Sequence, residues 1–226
     1  MSTKPLARTL ILSAVALLAV TGSRAQSLPI TPDRLDLRNV KAEAVNYKGR
    51  AAVRLTDAGA ADLDDGGRLA IVRGSSFTDG TIEFDLTGDT VAGAPVTARG
   101  FVGLAFRVAA DATHFECLYL RPKNGRAADQ LQRNHSAQYI SFPGFPWEKL
   151  RTETPGKYES YVDIVPGEWT KVKIVVSGDK AQLFVNGAEQ PALLVNDLKQ
   201  PRSAGAIALW VGVGTVAHFA NLKVSP

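Results

Sequence analysis

A single cysteine, Cys117, stands among 226 residues, so no internal disulfide can brace this chain. The fold must hold through its apolar core, and a length of this order allows one large domain to do so. Cys117 sits in the strand-like run H-F-E-C-L-Y-L. It reads as a small buried hydrophobe, because nothing near it in sequence would depress its pKa for catalysis. Histidine is almost as scarce, at 3 residues, and no histidine or cysteine pair has zinc spacing. Helix-period patterns are nearly missing. No lysine-rich block occurs, and no repeat, linker or low-complexity stretch divides the chain.

Long apolar runs are missing too, apart from Leu10 to Val20. That run is shorter than the roughly 20 residues a membrane span needs. It follows a basic start, Lys4 and Arg8, and precedes Ser23-Arg24-Ala25, an A-x-A-like cleavage site. These features predict a signal peptide over residues 1–25 and one domain over 26–226, with an uncleaved anchor as the alternative. No cysteine follows the run and no twin arginine is present, so no lipid attachment is signalled. The expected location is the periplasm or the exterior, with no membrane span in the mature chain. The formal charge of +4 includes three leader cations, Lys4, Arg8 and Arg24, so the mature part is close to neutral. A near-neutral surface argues against nucleic acid as a partner.

What is present is strand pattern. Period-2 alternation is plain in Thr81 to Leu86 and in Lys171 to Val176. Further strands are expected at 34–38, 42–47, 51–56, 67–73, 98–108, 113–121, 135–142, 181–186, 205–213 and 216–224. Turn residues punctuate them, and Ser177-Gly178-Asp179 before A-Q-L-F-V-N predicts a tight hairpin. Helix is expected only near Ala127 to Gln132 and Val195 to Lys199. Many short antiparallel strands in one domain make a sandwich or jelly roll, hence an all-β fold. On 205–213, Ile207, Leu209, Val211 and Val213 should face the other sheet. Trp210, flanked by small residues, should lie open in a groove with Gly103, Ala105 and Arg107 nearby.

The stretch from Arg121 to Arg151 carries the chemistry. It packs arginines, amides, a histidine and aromatics into one connection between strands. Guanidinium and amide groups bind oxygen-rich ligands, and aromatic faces stack on sugars. Loops on a rigid scaffold are where such chemistry usually acts.

Several segments together resemble a known family. F-V-G-L-A-F-R, H-F-E-C-L-Y-L-R-P-K-N-G-R, P-G-E-W-T-K-V-K-I-V-V, A-Q-L-F-V-N and G-A-I-A-L-W with F-A-N-L-K-V resemble concanavalin A-like lectin/glucanase domains. The nearest group is the exported bacterial laminin-G and 3-keto-disaccharide hydrolase type. The resemblance spans about residues 35–224. It implies a two-sheet antiparallel jelly roll with a carbohydrate ligand on a concave sheet face. Members include binding modules and glycan-active hydrolases, so activity does not follow from fold. One departure is visible. The glucanase E-x-D-x-x-E strand is matched by Glu83 and Asp85, but Gly88 stands where the third acid belongs. A retaining glycosidase needs two carboxyls about 5 Å apart.

The candidate catalytic residues are Glu116, an acid among apolar neighbours, and His135, a proton carrier near neutral pH. A structural pair between Glu116 and Arg107 is the plainer alternative. The candidate ligand-binding residues are Arg107, Arg121, Asn124, Arg126, Gln130, Arg133, Tyr139, Trp147 and Trp210. For Arg121, Asn124 and Arg126 the structural alternative is a salt bridge to Asp129 or Glu148, and for Trp147 it is an apolar plug. Arg107, Glu116, Arg121, Asn124, Arg126, Gln130, Arg133, His135, Tyr139 and Trp210 are expected to converge on one pocket or groove. No cofactor is expected, except that Asp62, Asp64 and Asp65 raise calcium beside the simpler reading of an Asp/Gly turn. Three functions fit: a carbohydrate-binding domain, a 3-keto-glycoside-type hydrolase, and a protein or cell-envelope interaction module.

Overall fold

In the computed structural model, residues 25–59 and 66–226 are described. The signal-peptide reading and Asp62, Asp64 and Asp65 lie outside the described residues. The strands are β1 (Gln26–Ser27), β2 (Leu35–Arg38), β3 (Val40–Tyr47), β4 (Arg50–Asp57) and β5 (Leu69–Val72). They continue with β6 (Gly80–Thr90), β7 (Val102–Val108), β8 (Phe115–Leu120), β9 (Ala137–Phe142) and β10 (Glu159–Ser160). The last five are β11 (Thr170–Ser177), β12 (Lys180–Val185), β13 (Leu193–Val195), β14 (Ala206–Val211) and β15 (Thr215–Ser225). Two short helices, α1 (Gln130–Asn134) and α2 (Trp147–Glu153), interrupt them.

The strands form two antiparallel sheets. The first runs β13-β12-β11-β6-β15-β4-β3, with β1 beside β15. The second runs β10-β9-β8-β7-β14-β5-β2. All twelve strands expected from alternation are present. The three that were not expected, β1, β10 and β13, are only two or three residues long. The predicted hairpin joins β11 to β12, with Ser177 opposite Lys180 and Gly178 at φ +61°. Glycine takes that φ without strain. The expected helix at 195–199 does not form. The amides of Lys199 and Gln200 are used instead by Tyr139 and Glu116.

The main core lies between the sheets. Ile82, Phe84 and Leu86 of β6 meet Leu104 and Phe106 of β7, and Ile207, Leu209 and Val211 of β14. Val213 does not join them, because β14 ends at Val211 and Val213 is exposed. A second apolar layer covers the outer face of the second sheet, with Leu69, Ala105, Cys117, Tyr119, Ile140 and Trp210. Strands buried on both faces read as continuous apolar runs rather than alternating ones. This corrects the expected open groove at Trp210. The indole is 1% exposed, with its ring 4.6 Å from that of Tyr119. Cys117 is fully buried in the same layer, as expected of a small hydrophobe.

A bulge reverses one more expectation. Ala206 pairs Val108 while Ala208 pairs Ala105, so β7 carries an extra residue. Arg107 takes φ +54° there. One inserted residue exchanges the faces of all that follow. Val108 therefore joins the outer layer, and Arg107 turns to the end of the sandwich. Its Nε donates to the Thr78 carbonyl at 2.9 Å. Its Nη2 donates to Asp79 at 2.8 Å and to the Gly178 carbonyl at 2.7 Å. Arg107 thus ties the second sheet to the β11–β12 hairpin of the first.

Candidate functional site

The chain leaves β8 at Leu120, and Arg121 begins the connection to β9. A turn at Pro122–Asn124 follows. Gly125 then passes so close to Ile164 that a Cβ would lie 2.4 Å from the Ile164 carbonyl oxygen, so the backbone needs glycine there. Asp129 caps α1 by accepting from the Gln132 amide at 2.6 Å. Asn124 donates to the His135 carbonyl at 3.1 Å and accepts from the Gln132 side chain at 3.2 Å. These bonds hold the connection in one shape.

Helix α2 comes from the far end of β9. Leu150 is buried and anchors it. Trp147 and Arg151 lie four residues apart, on one helix face. Both turn toward Arg121. The Arg151 guanidinium lies 4.4 Å from the Trp147 ring, and that of Arg121 lies 5.3 Å from it. Arg121 is 5% exposed. It donates to the Tyr119 hydroxyl at 2.8 Å and to Gln138 at 3.2 Å.

A cleft of about 420 Å³ opens between these parts. Arg121, Asn124, His135 and Trp147 line it, together with Phe101 and Arg151. Thr97, Arg99, Asp129, Leu131 and Gln132 complete the rim. Four of the expected site residues are therefore together. Arg151, Phe101 and Gln132 were not singled out from sequence. The Trp147/Arg151 spacing was the available signal, had α2 been recognised.

Behind the cleft wall lies a buried acid. Glu159 contacts His135 Nδ1, and Arg151 Nε donates to it at 2.7 Å. Burial, with the charges of Arg151 and Arg121, pulls the imidazole down to about 4, while the Asp129 carboxylate acts in the opposite sense. Burial, with the charge of Arg121, also lowers Arg151.

The other expected members lie elsewhere. Arg126 forms an exposed fork with Asp163, with Nε–Oδ1 at 2.7 Å. Gln130 donates to Asn134 at 2.8 Å within α1. Arg133 donates to the Tyr161 hydroxyl at 2.9 Å and lies over its ring. None of the three is part of the cleft lining. Glu116 and Tyr139 are wholly buried, with Tyr139 in the inter-sheet core. The Tyr139 hydroxyl donates to Glu116 at 2.6 Å. Burial pushes the Glu116 carboxyl above its ordinary range. It is perturbed, as expected of an acid among apolar neighbours, but it faces no ligand space. Arg107 and Trp210 are placed by the bulge and the outer apolar layer.

The glucanase-like acids sit on the first sheet. Glu83 and Asp85 border an open depression of about 480 Å³ shared with Lys171, Lys173 and Lys223. Asp85 is held by Arg50 at 2.8 Å and Asn221 at 2.7 Å. Gly88 faces the second sheet. A Cβ there would lie 2.5 Å from Val102 Cγ1, so a third acid does not fit. Among the described residues no cluster of histidine, cysteine and acid side chains could hold a metal. None of their helices is long and apolar enough to cross a membrane.

This architecture is the concanavalin A-like jelly roll. No family model matches the chain, and no curated protein is similar to it. Solved structures are. A carbohydrate-binding module, CBM66, from Bacillus subtilis superposes with a TM-score of 0.55 at 18% identity, covering 85% of this chain and 96% of that one. A Bacillus subtilis protein with a galectin-like fold gives 0.55 at 12% identity, covering 90% and 98%. A native glycosidic hydrolase gives 0.50 at 11%, covering 92% and 96%.

Proposed function

We propose that this chain is an exported carbohydrate-binding domain whose ligand occupies the cleft between Arg121 and α2. The observation that carries this reading is the composition of the cleft wall. Trp147, Phe101 and Leu131 offer apolar surface to the C–H face of a sugar, and Arg121, Arg151, Asn124 and Gln132 offer planar polar groups to its hydroxyls. The volume lies in the range of small-ligand sites, roughly 300–1,000 Å³. The likeness to a carbohydrate-binding module agrees with this. The leader-like residues 1–25 support a periplasmic or secreted location.

Binding without cleavage fits better than hydrolysis. The cleft lining holds one carboxylate, Asp129, and it is engaged as a helix cap. A two-carboxyl mechanism has no second acid in the lining. The test is a glycan-array screen of the protein followed by calorimetry. A defined oligosaccharide should bind, and Trp147→Ala should abolish binding without unfolding the domain. Absence of any glycan ligand, or parental affinity in the variant, would sink the proposal.

A further inference from the structure

The charge of the cleft is one-sided. Arg99, Arg121 and Arg151 line it, and its one acid is committed to the start of α1. Glu159 neutralises Arg151 in part, but lies behind it and outside the lining. Both deeper guanidinium groups hold a spare donor. Arg121 uses Nη2 for Tyr119 and Gln138 and Nη1 for the His135 carbonyl. Its Nε meets no hydrogen-bond acceptor among the described residues. Arg151 uses Nε for Glu159, and its Nη2 meets none either. Both groups lie against the same indole, Trp147.

Two cations held this close in an apolar setting repel each other. Each also leaves a buried donor unanswered, which is costly in a low-dielectric site. A neutral hydroxyl could accept a hydrogen bond but would not offset the charge. A carboxylate supplies two acceptor oxygens and a negative charge, which is the match guanidinium groups make best.

We infer that the sugar taken by this cleft is acidic, with a uronic-acid carboxylate meeting Arg121 and Arg151 while its ring lies against Trp147 and Phe101. This rests on the reading of the cleft as a carbohydrate site. The ligand class follows from the three arginines that line the cleft against one engaged acid, not from the fold.

The decisive experiment pairs each acid with its own neutral form. The whole protein would be titrated by calorimetry with oligosaccharides of galacturonate, mannuronate and glucuronate. Each would be compared with its methyl ester, which keeps the ring and removes the charge. At least one acid form should bind about tenfold or more tighter than its ester, as a lost charge-assisted contact requires. The preference should shrink at high salt. Thr97→Glu adds an acid at the exposed rim, on a side chain that the sugar reading does not use. It should weaken the acid form several-fold and leave neutral glycans unaffected.

The failures separate. If neutral sugars or esters bind as well as acids, and Trp147→Ala abolishes that binding, the acidic assignment is overturned and the carbohydrate reading stands. If no sugar of either kind binds, both fall together. Parental affinity for the acid form in Thr97→Glu also counts against the acidic assignment.

Discussion

Glu116 illustrates what a residue's neighbours decide. In the sequence it is an acid between Phe115 and Cys117, and its perturbation was legible from that alone. The direction in which it points was not. It occupies the inter-sheet side of β8, where the Tyr139 hydroxyl donates to one carboxylate oxygen and the Gln200 amide to the other, at 2.8 Å. Tyr139 also accepts from the Lys199 amide at 2.9 Å. One phenol thus ties β8, β9 and the loop after β13. Tyr139→Phe should cost about 1–3 kcal/mol, the price of leaving buried partners unpaired. Urea unfolding would measure this, and glycan affinity should not change. Unaltered stability with lost binding would return Tyr139 to the ligand site. Trp210 teaches the same lesson from the apolar side. Its small neighbours on β14 suggested an open ring, yet they let other rings close over it.

At the scale of elements, alternation was readable wherever one face of a strand meets water. In β11, Val172, Ile174 and Val176 are buried and Lys171 is exposed. Lys173 is half-buried because its ammonium lies 4.1 Å from the Phe184 ring. Ile174→Ala should cost about 2–5 kcal/mol in a chemical unfolding experiment, since the side chain is fully enclosed between the sheets. A loss under about 0.5 kcal/mol would place the residue on the surface. Alternation failed in β7 and β8, where both faces are covered and a bulge exchanges them after Phe106. It also missed α2. Seven residues with Pro146 before them and aromatics around them look like a loop until Leu150 is seen to be the anchor. That omission hid Arg151, and with it one of the three arginines that line the cleft.

The whole molecule responds to pH through groups that burial has shifted. His218 lies on the outer face of the first sheet, stacked on Tyr47 with ring centroids 3.7 Å apart. Thr87 Oγ1 lies 2.9 Å from its Nδ1. Burial, then the charge of Arg54, pulls the imidazole down to about 4 from 6.5. Between those values the unfolded chain binds the proton and the folded chain does not. Stability from this group is therefore complete above pH 6.5 and is lost as pH falls toward 4. The Glu116 carboxyl, raised by burial, acts in the opposite sense above its ordinary value of 4.5. His218→Gln should flatten the fall in unfolding free energy between pH 6.5 and 4. An unchanged slope would show that the folded imidazole titrates as freely as in the unfolded chain.

The sequence by itself determined the class of fold and the segment that carries polar chemistry. Both rest on local facts: period-2 patterning, turn residues, and the side chains gathered between Arg121 and Arg151. Only the tertiary structure decided which of those side chains share a space. Helix α2, far along the chain, brings Trp147 and Arg151 to Arg121. The same folding sends Arg126, Gln130 and Arg133 to partners outside the cleft. The physical reason is that a side chain's direction depends on register, bulges and the layer packed above it. None of these is local, and a single extra residue, as at Arg107, exchanges one face for the other.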